Sequence, residues 1–433
     1  MIEGYLPDVP YMATFIREIA PSWLDRVAVG NGVLPPRASS QQSFRYCELG
    51  CGLGVTPNIL AATCPSGVFV GIDVLDYHID YAKKTSAASG ITNTLFKAGT
   101  FEETLDEQFE AFDYIVAHGV YSWIDQANCN HLLNFMERFL KPGGLCYISY
   151  NTLPGWNRWA PVQKLLLSII DSCEDDPITC FKTAVETIRE MKILGARYLN
   201  DNVMVDEFLN RADRLQIGYL VHEYLIPAWN PAYSTDVSSE FNKRGLTFVG
   251  SAEQIKQRDD FIFKKNQIQL LDSSSYPSLR ELNKDIILNT SFRRDVFVKS
   301  AKNLNTEEIF NMKSEQVFAL NPASKDQDFM MRTAAGTLRF DNQAAKEIVA
   351  KLLCGPIKLS DIASDCMDES VTTGDVVNTA DALWAVDIIR PVDQQVECPS
   401  LDKLNAALKL GIQENNLPKV KAIPYGTALP FTD

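Results

Sequence analysis

Residues 44–54 read FRYCELGCGLG and residues 67–73 read GVFVGID. The first is a short apolar run that breaks into glycine at every second position, and the second is another apolar run closed by an acid. Runs this short and this uniformly apolar predict strands buried on both faces, the arrangement of a parallel sheet covered by helices on each side. Glycines at 50, 52 and 54 place a tight turn at the end of the first strand, where a backbone without Cβ atoms lets a ligand come close. The spacing is GxGxG rather than the GxGxxG that seats a pyrophosphate on a helix N-terminus, and Glu48 precedes it; the combination suits a ligand with a cationic amino-acid end. Asp73 stands 19 residues beyond Gly54, where a carboxylate can accept both hydroxyls of a ribose. The plainer alternative for Asp73 is a cap on the following helix.

The alternation continues outward. NTLFKAG, FDYIVAHG and LCYISYN predict strands three to five, separated by helical stretches such as DYHIDYAKKTSAASG and NCNHLLNFMERFL. Thr100 and Phe101, after the third strand, fall where an adenine ring would lie. From about 160 to 215 a helical period dominates, too long for one crossover. YLVHEYLIPAWNPAY and TDVSSEFNKRGLTFVGSAE then read as strand, loop, helix and strand, so residues 153–213 are expected to be an insertion, serving as a lid or a homodimer contact. SFRRDVFVKSAKNL reads as helical within a middle region at 256–330. Residues 331–433 hold a hairpin signal, FMMRTAAGTLRF, and two short helices that read as winged-helix-like. With 10 basic and 14 acidic residues, this module lacks the face that DNA reading needs. Residues 1–40, mixed Pro, aromatic and amphipathic text, read as an arm over the active site.

The totals agree with several units. Across 433 residues, 46% hydrophobic and 22% charged, there is material for two or three cores at roughly 100–200 residues each. A formal net charge of −14 and a pI near 4.9 argue against nucleic acid as a partner, since phosphate neutralisation needs clustered Lys and Arg. The ten cysteines form no CxxC pair and no zinc-type spacing, so no metal site is expected and the thiols read as reduced. The start, MIEGYLPDVPYMATF, lacks the pattern of a signal peptide, and no run of 18 apolar residues could span a membrane. A soluble, cytoplasmic protein is the expectation.

ELGCGLG, GID, FDYIVAHG and LKPGG, in this order and spacing, resemble class I S-adenosylmethionine-dependent methyltransferases. More narrowly, HGVYSW, SYNTLPGW, HEYLIPAWNPAY and FRRDVFV resemble bacterial methyltransferases that carry a methyltransferase regulatory domain, whose characterised members are protein-lysine methyltransferases acting on outer-membrane proteins. The resemblance implies a Rossmann-like α/β sheet built from residues 41–152 and 214–255, the latter supplying the last two strands, with the middle region as regulatory domain. It implies S-adenosyl-L-methionine as cofactor, bound by Glu48, Gly50, Cys51, Gly52, Gly54, Asp73, Val74, Thr100, Phe101 and His118. The expected partner is a protein substrate, such as an outer-membrane protein before export.

Methyl transfer from a sulfonium is an in-line displacement, so the acceptor side needs alignment and a nucleophile with a free lone pair. A lysine amine, ordinarily near pKa 10.4, must lose its proton first, which burial beside aromatic rings assists. Strand four ends at His118 and strand five at Tyr150 and Asn151, both at the edge where ligands bind. His118, Tyr121 and Tyr150 are the candidate catalytic residues; Trp123, Asn151, Trp156 and His222 are candidates for the acceptor mouth. The Asp/Asn-Pro-Pro-Tyr turn of base-directed amino-methyltransferases is replaced here by Ala117-His118-Gly119-Val120-Tyr121. A small metabolite as acceptor, or a regulatory protein that senses the cofactor without turnover, are the alternative readings.

Overall fold

The computed structural model describes residues 14–37, 39, 42–214, 220, 224, 228–324, 329–366, 370–393, 398–415, 420–423 and 427–430. The five apolar runs become parallel strands: β1 (Phe44–Leu49), β2 (Gly67–Asp73), β3 (Thr94–Ala98), β4 (Phe112–Ala117) and β5 (Leu140–Asn151). Two further strands, β6 (Leu246–Ser251) and β7 (Phe292–Lys299), complete a seven-stranded sheet in the order β3-β2-β1-β4-β5-β7-β6, with β7 antiparallel to both neighbours. Successive residues alternate between two cores. Tyr46, Tyr114, Val116, Leu145 and Tyr147 enter one; Cys47, Ile115, Ala117, Cys146 and Ile148 enter the other. Double-sided burial is what made the strands legible as unbroken apolar runs.

The chain leaves β1 to build β2 and β3 on one side, then returns to β4 on the other. That reversal opens a crevice at the carboxyl ends of β1 and β4. Helices α1 (Pro21–Gly30) and α2 (Val55–Thr63) cover one face with the C-terminal module; α4 (Phe101–Leu105) and α5 (Gln126–Phe139) lie on the other, and α3 (Asp76–Ser89) follows β2.

Three expectations need correction. Residues 214–255 supply one strand, β6; the other is β7, from the segment FRRDVFVK that reads as helical. Its three consecutive charges break the apolar run, yet Arg293 and Asp295 are buried. Arg293 is clasped by Asp295 at 2.9 Å, Asp285 at 3.0 Å and Glu281 at 2.8 Å, and Tyr150 donates its hydroxyl to Asp295 at 2.7 Å. Charges that neutralise one another inside the sheet look, in sequence, like a solvated helix face. Secondly, residues 17–37 are no arm over the site: α1 lies under the sheet, Trp23 meets Trp384 edge to face at 5.2 Å, and buried Arg37 pairs with Asp25 and Asp393. Of the described N-terminal residues, Thr14 and Ile16 border the cleft. Thirdly, Cys173 and Cys180 form a disulfide across the turn between α6 (Ala160–Asp171) and α7 (Pro177–Ile193), because that turn folds them together; Cys354 is an exposed thiol.

The insertion leaves the sheet after β5 and rejoins it beside its own start. Thr152 and Ala232 form a parallel bridge, and Leu153 donates to the Ala232 carbonyl at 3.1 Å. Gly155 comes so close to the chain before β7 that a Cβ would lie 2.5 Å from the Ser291 Cα, which explains the glycine in LPGW. Beyond this stem α6, α7, α8 (Arg197–Asn200) and α9 (Val203–Arg214) enclose a separate core around Trp159, Phe181, Ile188 and Phe208. The segment YLVHEYLIP, expected as a strand, falls largely outside the described residues; Leu220 and Tyr224 pack in this core. The C-terminal region contains the hairpin Met330–Thr333 with Gly336–Arg339 and helices Gln343–Leu352, Leu359–Ser364 and Thr373–Ala385, and its strands Ile357–Lys358 and Ile389–Pro391 flank a strand from the middle region, Val317–Leu320, in a three-stranded sheet. Among the described residues no helix is long and apolar enough to cross a membrane.

Candidate active site

One cleft in two lobes lies over the carboxyl ends of β1, β2 and β4, the lobes meeting at Gly50, Gly52 and His118. Gly50 and Gly52 make the turn with left-handed φ of +73° and +52°. A Cβ on Gly50 would sit 2.4 Å from Val120 Cγ2, whereas one on Gly52 would meet nothing within 4 Å, leaving space for a ligand against the backbone. Gly54 is different: it lies outside the cleft lining, and its missing Cβ accommodates Ala82 and Phe96, so it packs α2 against α3 and β3.

In the first lobe Glu48, 6% exposed, projects from β1 beside Cys51, Thr14 and Ile16. Its Oε2 is buried without a hydrogen-bond partner. Burial, and secondarily the Asp73 charge, push its carboxyl up to about 8. An orphaned buried carboxyl is costly unless a cation arrives to pair with it.

In the second lobe Asp73 accepts from the backbone N–H of Gly52 at 2.8 Å and of Leu75 at 3.0 Å, so it braces the glycine turn and the loop into α3, whose N-cap residue is Leu75 and not Asp73. Val74, Leu75, Phe101 and Ile124 give apolar walls, and Thr100 lines the lobe while its hydroxyl caps α4 by accepting from Glu103 N–H at 3.1 Å. His118 borders both lobes. Its Nδ1 lies 2.8 Å from the Tyr147 hydroxyl, its ring is nearly parallel to Tyr147, and it meets the Phe292 ring edge to face with the centroids 6.1 Å apart. Burial first, then the Arg294 charge, lowers its pKa to about 3, so the imidazole is uncharged at neutral pH.

The acceptor candidates separate. Trp123 lines the cleft. Tyr121 and Tyr150 are not brought to it: Tyr121 lies in the core above α5, 6.2 Å from the ring of Tyr150, and Tyr150 is committed to Asp295. Side chains alternate along β5, and Tyr150 takes the face away from His118. Asn151 takes the same face as Tyr147 and Ser149; its Nδ2 is buried without a partner. Trp156 donates Nε1–H to the Ser291 carbonyl at 2.6 Å and packs edge to face against Trp159 and Trp229, in the stem of the insertion. His222 lies outside the described residues. Sequence reasoning missed Phe292 and Arg294, hidden by the misread strand, and His78, whose Nδ1 is 3.0 Å from Asp73 Oδ1. A histidine five residues beyond the acid, in the first turn of α3, was the available signal for it.

An acid awaiting a cation, a glycine turn open to a ligand, a carboxylate at the end of β2 and an apolar slot beyond β3, set on this strand order, are the features of a class I S-adenosylmethionine-dependent methyltransferase. A family model of a methyltransferase domain matches residues 40–194, and one described as a predicted methyltransferase regulatory domain matches residues 216–299, a range that holds both β6 and β7. An uncharacterized Synechocystis protein, sll1526, is 30% identical over 412 residues, 94% of this chain and 81% of that one. The solved structure of PKMT2 from Rickettsia typhi is similar with a TM-score of 0.72 and 20% identity, covering 98% of this chain and 86% of that one. Its complex with AdoHcy is similar at 0.69 and 22%, covering 89% and 78%. The chain belongs to the S-adenosylmethionine-dependent methyltransferases that carry a methyltransferase regulatory domain. S-adenosylmethionine, which supplies an electrophilic methyl when bound, fits the residues present: the unpaired Glu48 carboxyl would take its ammonium, Asp73 would face the ribose, and Phe101 and Ile124 would border the adenine.

Proposed function

We propose that this methyltransferase acts on the amine of a protein lysine. The observation that carries the reading is His118, an uncharged imidazole where the lobes join, flanked by Tyr147 and Phe292. A methyl acceptor must approach a sulfonium, and a cationic wall would repel both. An imidazole with a pKa of about 3 takes no proton at neutral pH, so its part is to accept a hydrogen bond and hold the acceptor's lone pair in line. Aromatic faces attract an ammonium while apolar burial favours its loss of a proton. Trp123 lines the same cleft and extends this aromatic surface.

The reading is tested by incubating the full chain with methyl-labelled cofactor and unfolded bacterial outer-membrane proteins. Acid-precipitable label that disappears when the substrate lysines are acetylated beforehand is the expected result. Label confined to acid-soluble metabolites would replace the protein acceptor by a small molecule.

A further inference from the structure

Asp73 is more fully engaged than a ribose-binding acid reading both hydroxyls can be. A carboxylate offers about four lone-pair positions, two on each oxygen. Oδ1 receives the Leu75 N–H at 3.0 Å and His78 Nδ1 at 3.0 Å; Oδ2 receives the Gly52 N–H at 2.8 Å. The His78 proton sits on Nδ1, because a bare Nδ1 lone pair would face a carboxylate oxygen. Three positions are filled from within the protein, and one, on Oδ2, remains for a ligand. His78 itself is 1% exposed, and its Nε2 is buried without a partner, so Asp73 is the group that holds this ring by hydrogen bonding.

We propose that Asp73 accepts one ribose hydroxyl, through Oδ2, and that His78 is a positioning residue that occupies Oδ1 and fixes which oxygen faces the cofactor. The proposal rests on Asp73 facing the ribose. Removing one hydroxyl from the ligand then breaks a charge-assisted bond, while removing the other breaks no bond to Asp73.

The experiment measures, by calorimetry on the full chain, the affinities of S-adenosylhomocysteine and its 2′-deoxy and 3′-deoxy forms. Wild-type protein should lose about 10-fold or more for one deoxy form and much less for the other, from the worth of one hydrogen bond to a charged group. His78→Phe keeps a ring of similar size without the donor; it frees a second position on the carboxylate and should bring the two losses together. His78→Asn, whose amide nitrogen falls where Nδ1 was, should restore the asymmetry. A helix-packing role alone would alter melting temperature without moving the ratio of the two losses. Equal losses in the wild type overturn the proposal even if no His78 variant folds, as does an unchanged ratio in His78→Phe. An Asp73→Ala variant with undiminished affinity for the parent ligand would instead remove the ribose assignment on which it rests.

Discussion

Glu48 is held in two conflicting states. Buried without a partner, it favours its protonated form, with a pKa of about 8, whereas a cofactor ammonium needs it ionised. A carboxyl raised above its unfolded value contributes stability below about pH 4.5, and that contribution is lost as pH rises through 8. Glu48→Gln should therefore raise the stability of the free protein at pH 8 by about 1–3 kcal/mol, read by urea denaturation, while weakening cofactor binding about 10-fold or more. Wild-type affinity should climb from pH 6 to 8 with release of a proton, and the variant's should stay flat. A climb that persists in the variant would assign the proton elsewhere, though not to His118, already deprotonated in that range. At this scale the sequence was most informative where chemistry follows local spacing: the Gly50–Gly52 turn, Glu48 and Asp73 all line the cleft. Tyr121 and Tyr150 were illegible because their part depends on which face of a strand end meets the ligand, and β7 decides that.

β7 shows why one element escaped the reading. FRRDVFVK has a strand's alternation only when Arg293 and Asp295 are known to be paired inside the molecule. Their partners Asp285 and Glu281 come from the helix Pro277–Leu288, and Ser234, at the start of another helix, adds a hydrogen bond to Asp285 at 2.6 Å. No local window contains that information. Arg293→Met should leave Asp295 and Asp285 as uncompensated buried charges and cost about 3–5 kcal/mol, measured by denaturant unfolding. Tyr150→Phe should cost only about 1–2 kcal/mol and leave cofactor affinity and turnover unchanged, since its hydroxyl serves Asp295 and not the cleft. A loss of turnover without loss of stability in Tyr150→Phe would return it to the catalytic set. The strands β1 to β5 were legible for the opposite reason: burial on both faces wrote them as apolar runs that need no partner to be recognised.

Across the whole molecule, the N-terminal helix joins the methyltransferase sheet to the C-terminal module. Trp23 donates Nε1–H to the Ala252 carbonyl at 2.8 Å and meets Trp384; Arg26, fully buried, donates to Asp381 and to the Lys313 carbonyl. Trp23→Ala should cost about 3–5 kcal/mol and split one unfolding transition into two as the module uncouples from the sheet. A single transition merely shifted would mean that other contacts hold the module. The chain leading into this helix lines the lobe of Glu48 at Thr14 and Ile16, so the joint between units lies beside the cofactor cleft. Such long-range docking is what an acidic, unremarkable composition could not announce. The central claim, that His118 and its aromatic neighbours present a lysine amine to the sulfonium methyl, is tested most directly by hydrolysing an acceptor protein labelled by this enzyme and locating the label by amino acid. The account predicts label in Nε-methylated lysine, reduced at least 10-fold when His118 is replaced by Leu with cofactor affinity retained; label in any other residue, or undiminished transfer by His118→Leu, would contradict it.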